Sequence, residues 1–89
     1  MEGQEIRMTS KQFELLDELY FVICYPDLKE SLSWTDEELC AELTGLFSEG
    51  WLRAFKSPSD TKDYELISDE ILMNSFLLAS KAGLKAHNS

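Results

Sequence analysis

Apolar residues recur along the first third of the chain with helical spacing. Phe13, Leu16, Tyr20 and Ile23 fall at i, i+3, i+7 and i+10, and Leu15, Leu19 and Val22 widen the stripe. The period predicts an amphipathic helix starting near Ser10, with a face broad enough to touch more than one neighbour. Pro26 is expected to stop it, because a residue before proline is pushed out of the α region. Asp27 to Ser33 reads as either a short second helix or a turn.

The segment from Trp34 to Gly50 carries the clearest local signals. Thr35 and Glu38 form the N-cap and N3 positions of a capping box, and Trp34 and Leu39 occupy the positions of a hydrophobic staple. Leu39, Leu43, Leu46 and Phe47 supply a buried face. Gly50 fits the left-handed C′ position, which sets Leu46 and Trp51 where a Schellman motif makes its apolar contact. Gly45 weakens the helix relative to alanine and predicts a close backbone approach there. Trp51 to Lys56 reads as a strand, Ser57 to Lys62 as turn chemistry, and Tyr64 to Ile67 as a strand that pairs back.

The C-terminal third admits two readings. In one, Ser75 to Ala79 is a strand and Ser80 caps a short helix through His87. In the other, Ser68 caps one long helix from Asp69 to His87. The apolar run Phe76-Leu77-Leu78 and the helix-weakening Gly83 favour the first. Residues 1–9 carry no period and read as a mobile N-terminal arm, leaving residues 10–89 as one small domain.

Composition narrows the picture. An apolar fraction of 44 % suffices for a core in a chain of 89 residues. Cys24 and Cys40 have no ligand-like spacing and fall within expected helices, so buried reduced thiols are the reading. The longest apolar stretch, Ile71 to Ala79, is interrupted by Asn74 and Ser75 and is too short to span a bilayer. With no secretory signal visible, a cytoplasmic location is expected. Lysine and arginine total 8 against 17 acidic residues, a net charge of −9. Such a field repels phosphate and anionic lipid and favours basic partners.

The order helix, turn, helix, GWLRAF strand, wing and LLASKAGLKAHN segment resembles a winged helix-turn-helix domain across about residues 10–88. The helix-Gly-Trp-Leu passage looks like a recognition helix followed by a strand. Ala79-Ser80-Lys81-Ala82-Gly83-Leu84 is similar to the strand-to-helix segment after the wing in many bacterial regulators of this class. The resemblance implies an α+β fold with three helices or so, a short antiparallel β-wing and a C-terminal helix. It also implies DNA contacts at Thr44 and Ser48 on the third helix and at Arg53, Lys56 and Lys62 on the wing. Yet Thr35 to Gly50 carries Asp36, Glu37, Glu38, Glu42 and Glu49 and neither lysine nor arginine. A helix of that charge opposes phosphate, and around the wing Asp60, Asp63 and Glu65 offset the cations. Arg7 and Lys11 could add an N-terminal DNA contact.

Catalysis finds little raw material. His87 is the only histidine and reads as a C-terminal helix residue favoured by the dipole; adjacent Asp36, Glu37 and Glu38 are explained by capping. No glycine-rich phosphate loop or metal-ligand spacing occurs, so neither an enzyme nor a cofactor is expected. Protein binding fits better. Trp34, Trp51, Phe55 and Tyr64 are aromatics of the kind enriched at binding hot spots, although Trp34 and Trp51 read as core. The strand puts Trp51, Arg53 and Phe55 on one face and Leu52 and Ala54 on the other, and one face should meet a partner or the C-terminal segment. The expectation is a non-enzymatic interaction or regulatory module, presenting Glu38, Glu42, Glu49, Phe55 and Tyr64 to a basic protein partner. Homodimerisation through the first helix is an additional option, and a DNA-binding regulator working mainly through its wing is the alternative.

Overall fold

The computed structural model describes residues 9–57, 59 and 62–88. Most of the expected N-terminal arm, with Arg7, and the wing residue Asp60 lie outside these. The described residues form an α+β domain of five helices and a three-stranded antiparallel sheet. Helix α1 spans Ser10–Glu18, strand β1 Ile23–Cys24, α2 Tyr25–Leu32 and α3 Asp36–Ser48. Strand β2 (Leu52–Phe55), α4 (Asp69–Met73), β3 (Phe76–Ala79) and α5 (Lys81–His87) follow.

The first helix ends earlier than its apolar period. Thr9 caps it in a capping box with Gln12, and Leu19 is its C-cap. The chain is then drawn onto the sheet, where the Leu19 carbonyl accepts the Ala79 N–H at 2.9 Å. Pro26 does not stop this helix but opens the next one. Cys24 is the extended N-cap of α2, and Pro26 sits in its first turn, where a missing N–H costs nothing. Cys24 therefore lies in a strand rather than a helix. Both cysteines are free, Cys40 buried and Cys24 half-buried.

Helix α3 forms as its sequence indicates. The Thr35 hydroxyl accepts the Glu38 N–H, and the Glu38 carboxylate accepts the Thr35 N–H, each at 3.1 Å. At the other end Gly50 takes φ +79°. Trp51 N–H donates to Leu46 O at 2.9 Å and Gly50 N–H to Phe47 O at 3.0 Å, the two bonds of a Schellman motif. Gly45 makes no close approach, since a Cβ there would meet only Gln12 Nε2 at 3.9 Å. The close approach is at Gly83, where a Cβ would stand 2.3 Å from Trp51 O. Helix α5 thus seats its first turn directly on the residue that leads into β2. Ser80 caps it and also donates to Gly50 O at 2.6 Å.

The sheet order is β1-β3-β2, so β3 is central. Leu52 pairs with Ala79 and Phe55 with Phe76. The expected partner of β2 was Tyr64 to Ile67; those residues form no strand, and their link to β2 is one bond, Tyr64 N–H to Ala54 O at 2.8 Å. Strand β3 holds the other edge of β2 over its full length. Ser68 caps α4 alone, and Ser75, buried between α4 and β3, bonds back to the Ile71 carbonyl. The long-helix reading therefore gives way to the strand and short helix. Among the described residues nine leucines, from Leu15 to Leu77, are wholly buried and belong to one core cluster. Each contributes about 1.5–3 kcal/mol of burial.

Candidate functional site

Much of the acidity of α3 is spent on internal structure. The Asp36 carboxylate accepts the Tyr25 hydroxyl at 2.8 Å and pairs with Lys29 at 3.2 Å. The Tyr25 hydroxyl, and after it Lys29, hold Asp36 below the usual carboxylate range. Burial, then the bond to Asp36, raises the Tyr25 phenol above its ordinary value. Glu38 is likewise lowered, first by the Thr35 N–H and then by Lys11, whose Nζ lies 3.1 Å from it. Lys11 also stands 5.4 Å from the Trp34 ring centroid, clamping α1 to the start of α3. Glu42 is half-buried, and Glu49 is the exposed C-cap. Thr44 and Ser48 lie exposed on the outer face with Glu37 and Ala41, at i, i+4, i+7 and i+11.

The wing cations are partly engaged. Arg53 lies 3.4 Å from the Asp63 carboxylate and 4.8 Å from the Phe55 ring centroid. Lys56 and Lys62 are exposed and, with Asp63 and Tyr64, line an open depression of about 300 Å³. Phe55 is only 6 % exposed, so it is a buried side chain beneath Arg53 and not a surface anchor. Tyr64 is half-buried against the core, as is Trp34, and Trp51 is buried. The Trp51 side of the strand meets the C-terminal segment, through Gly83.

The exposed aromatics, with Val22 beside them in sequence, are elsewhere, on α1 and the turn after it. Phe13 is 49 % exposed, Tyr20 38 %, Phe21 83 % and Val22 41 %. Glu14 and Asp17 on α1 lie exposed among them, with Glu18 at its end. His87, at the end of α5, joins Phe13 and Tyr20. Its ring stacks on Phe13 at 4.2 Å and meets Tyr20 edge-on at 5.3 Å. Its Nδ1 is 2.9 Å from the Tyr20 hydroxyl, which also donates to Asn88 Oδ1 at 3.3 Å. His87 is therefore more than a dipole-favoured terminal residue: it is the joint between α1 and α5. Sequence reasoning registered this surface only as an apolar stripe too wide for one contact, because nothing local to His87 announces a partner 67 residues away.

Among the described residues no group of three or more His, Cys, Asp or Glu side chains is placed to hold a metal ion. Nor is any described helix long and apolar enough to cross a membrane. Comparisons with protein-family models, curated proteins and solved structures found no match to this chain.

Proposed function

We propose that the protein is a non-enzymatic interaction module with a winged-helix-like fold, and that it receives a basic protein partner on the α1 face. The sheet and helices are compatible with that fold. The observation that carries the reading is the exposure of four large apolar side chains, Phe13, Tyr20, Phe21 and Val22, on α1 and the turn after it, a stretch that also presents Glu14 and Asp17. Large exposed apolar side chains ringed by charge are the usual anatomy of a protein-binding patch. The net charge of −9 selects for partners of opposite sign. This relocates the site from the α3 carboxylates, two of which are already paired, to α1.

The second reading, DNA binding through the wing, keeps the exposed Lys56 and Lys62 in its favour. Fluorescence anisotropy against mixed-sequence duplex DNA at about 50 and 200 mM salt separates the two, because phosphate contacts weaken steeply over that range. The interaction reading predicts no binding even at the lower salt. Salt-sensitive binding that disappears in Arg53→Ala/Lys56→Ala would overturn it.

A further inference from the structure

Resting on the interaction reading above, we infer that the outer edge of β1 receives an extended, cationic segment of the partner protein as an added strand of the sheet. The order β1-β3-β2 pairs β1 with β3 on one side and leaves its other side at the edge. Backbone groups are open there. Tyr25 N–H donates to Ser75 O at 3.2 Å, and Ile23 stands opposite Leu77. In an antiparallel ladder alternate residues turn their groups to opposite sides, so the N–H of Cys24, between those two, points away from β3. Continued backward, the register sets Phe21 opposite Ala79, but the Ala79 N–H is already given to Leu19 O. Phe21 and Val22 are thereby left outside the ladder, and they make no backbone hydrogen bond among the described residues. Open donors and acceptors along a sheet edge are a template for a further strand.

The side chains point the same way. From Leu19 to Tyr25 the chain reads LYFVICY, aromatic and β-branched residues without a charge, a composition that suits a strand. Phe21 is 83 % exposed and Val22 41 %, so apolar ground lies beside the open backbone. Edge strands are commonly blocked by a lysine or an inward-pointing charge, and this stretch carries neither. Charge then selects the occupant. From Glu14 to Glu30 the chain carries Glu14, Asp17, Glu18, Asp27 and Glu30 against a single cation, Lys29, which is paired with Asp36 at 3.2 Å. A second copy would bring the same acidic flanks and the same net charge of −9, and so short a strand offers few bonds to set against that repulsion. A helical partner docks through side chains and leaves the edge groups of β1 unmet. A strand in which valine or isoleucine alternates with lysine or arginine meets the backbone, the apolar ground and the acidic flanks together.

The test uses a blocked peptide of alternating valine and lysine and two counterparts. One is methylated on every backbone nitrogen, which keeps the side chains and removes the donors; the other has glutamate in place of lysine. Each is titrated into the full chain while the backbone amides are followed by NMR. The parent peptide is expected to bind at least about tenfold more tightly than either counterpart, the scale of two backbone hydrogen bonds. On binding, the Phe21, Val22 and Cys24 amides should shift together and exchange more slowly with water. Phe21→Lys, at an exposed position, should weaken the parent peptide by placing on the edge the charge that blocks edges elsewhere. Equal affinity for the parent and methylated peptides, with shifts on α1, would overturn the added strand and leave the interaction reading standing. No binding of the parent peptide up to about 1 mM would also overturn it. Shifts of the same three amides that grow with protein concentration, without peptide, would give the edge to a second copy and overturn the cationic partner.

Discussion

Replacing Gly83 by alanine puts the packing account at risk most directly. Helix propensity alone predicts that Gly83→Ala stabilises α5 by up to about 1 kcal/mol. The structure predicts the reverse. The new Cβ would stand 2.3 Å from Trp51 O and 3.0 Å from Trp51 Cβ. Ordinary contact begins at 3.4 Å, so 3.4 − 2.3 = 1.1 Å must be recovered, and the opposing atom is backbone that cannot swing aside. Helix α5 would have to lift from β2. That would strain the bonds from Ser80 N–H to Trp51 O at 2.9 Å and from Ser80 Oγ to Gly50 O at 2.6 Å. Overpacking costs about 1–3 kcal/mol and each weakened hydrogen bond about 1 kcal/mol. After the propensity gain is subtracted, a net loss of about 2–4 kcal/mol remains, or a melting point lowered by roughly 8–32 °C in a domain of this size. Gly45→Ala is the matched control, since its Cβ meets only the end of Gln12, and it should gain about 0.5–1 kcal/mol. Urea unfolding followed by circular dichroism measures both. A Gly83→Ala midpoint equal to or above that of the parent would refute the proposed seating of α5.

Further outcomes follow from the polar contacts. Thr35→Ala removes the capping box of α3 and should cost about 1 kcal/mol in the same urea assay. The Asp36 carboxyl titrates lower in the folded chain than in the unfolded one. Its contribution is therefore fully present above pH about 4 and is lost as pH falls through the folded value. Acid titration of stability should accordingly be shallower in Asp36→Asn than in the parent. Tyr25 has the opposite sign: its raised phenol adds stability that is present below pH about 10 and lost above it, so Tyr25→Phe should flatten the alkaline limb. A thiol reagent should modify half-buried Cys24 well before Cys40, whose thiol is pushed up chiefly by burial, and urea should equalise the two rates.

The sequence was most legible where structure is set by a few adjacent residues. Thr35 with Glu38, Gly50 with its two C-terminal bonds, and Ser80 ahead of the last helix are local devices, and their chemistry survives in any fold. Features decided by distant contacts were hidden. The apolar period of α1 runs on through Tyr20, Phe21 and Val22, yet the helix stops at Leu19, where the backbone is tied to β3. Pro26 carries the same local restriction whether it ends one helix or begins another, and only the sheet position of Cys24 decides between them. The partner of β2 could not be read from Tyr64 to Ile67, because the strand that pairs with it, Phe76 to Ala79, lies further along the chain and takes the opposite edge, leaving Tyr64 a single backbone bond. Gly83 advertised weakness rather than contact, for its use lies in Trp51, a residue remote in sequence. The candidate site was obscured for the same reason, since its centre is a histidine from one end of the chain resting on a phenylalanine from the other.

The central claim is that a protein partner docks on the α1 face. Site-specific photocrosslinking in the native cells tests it directly, with a benzophenone side chain placed at Phe21 or, for comparison, at Ser48 on the outer face of α3. The account predicts a discrete protein adduct from position 21 that is lost when Phe13→Ser is added, and none from position 48. Adducts that form at position 48 and not at position 21, to protein or to nucleic acid, would contradict it.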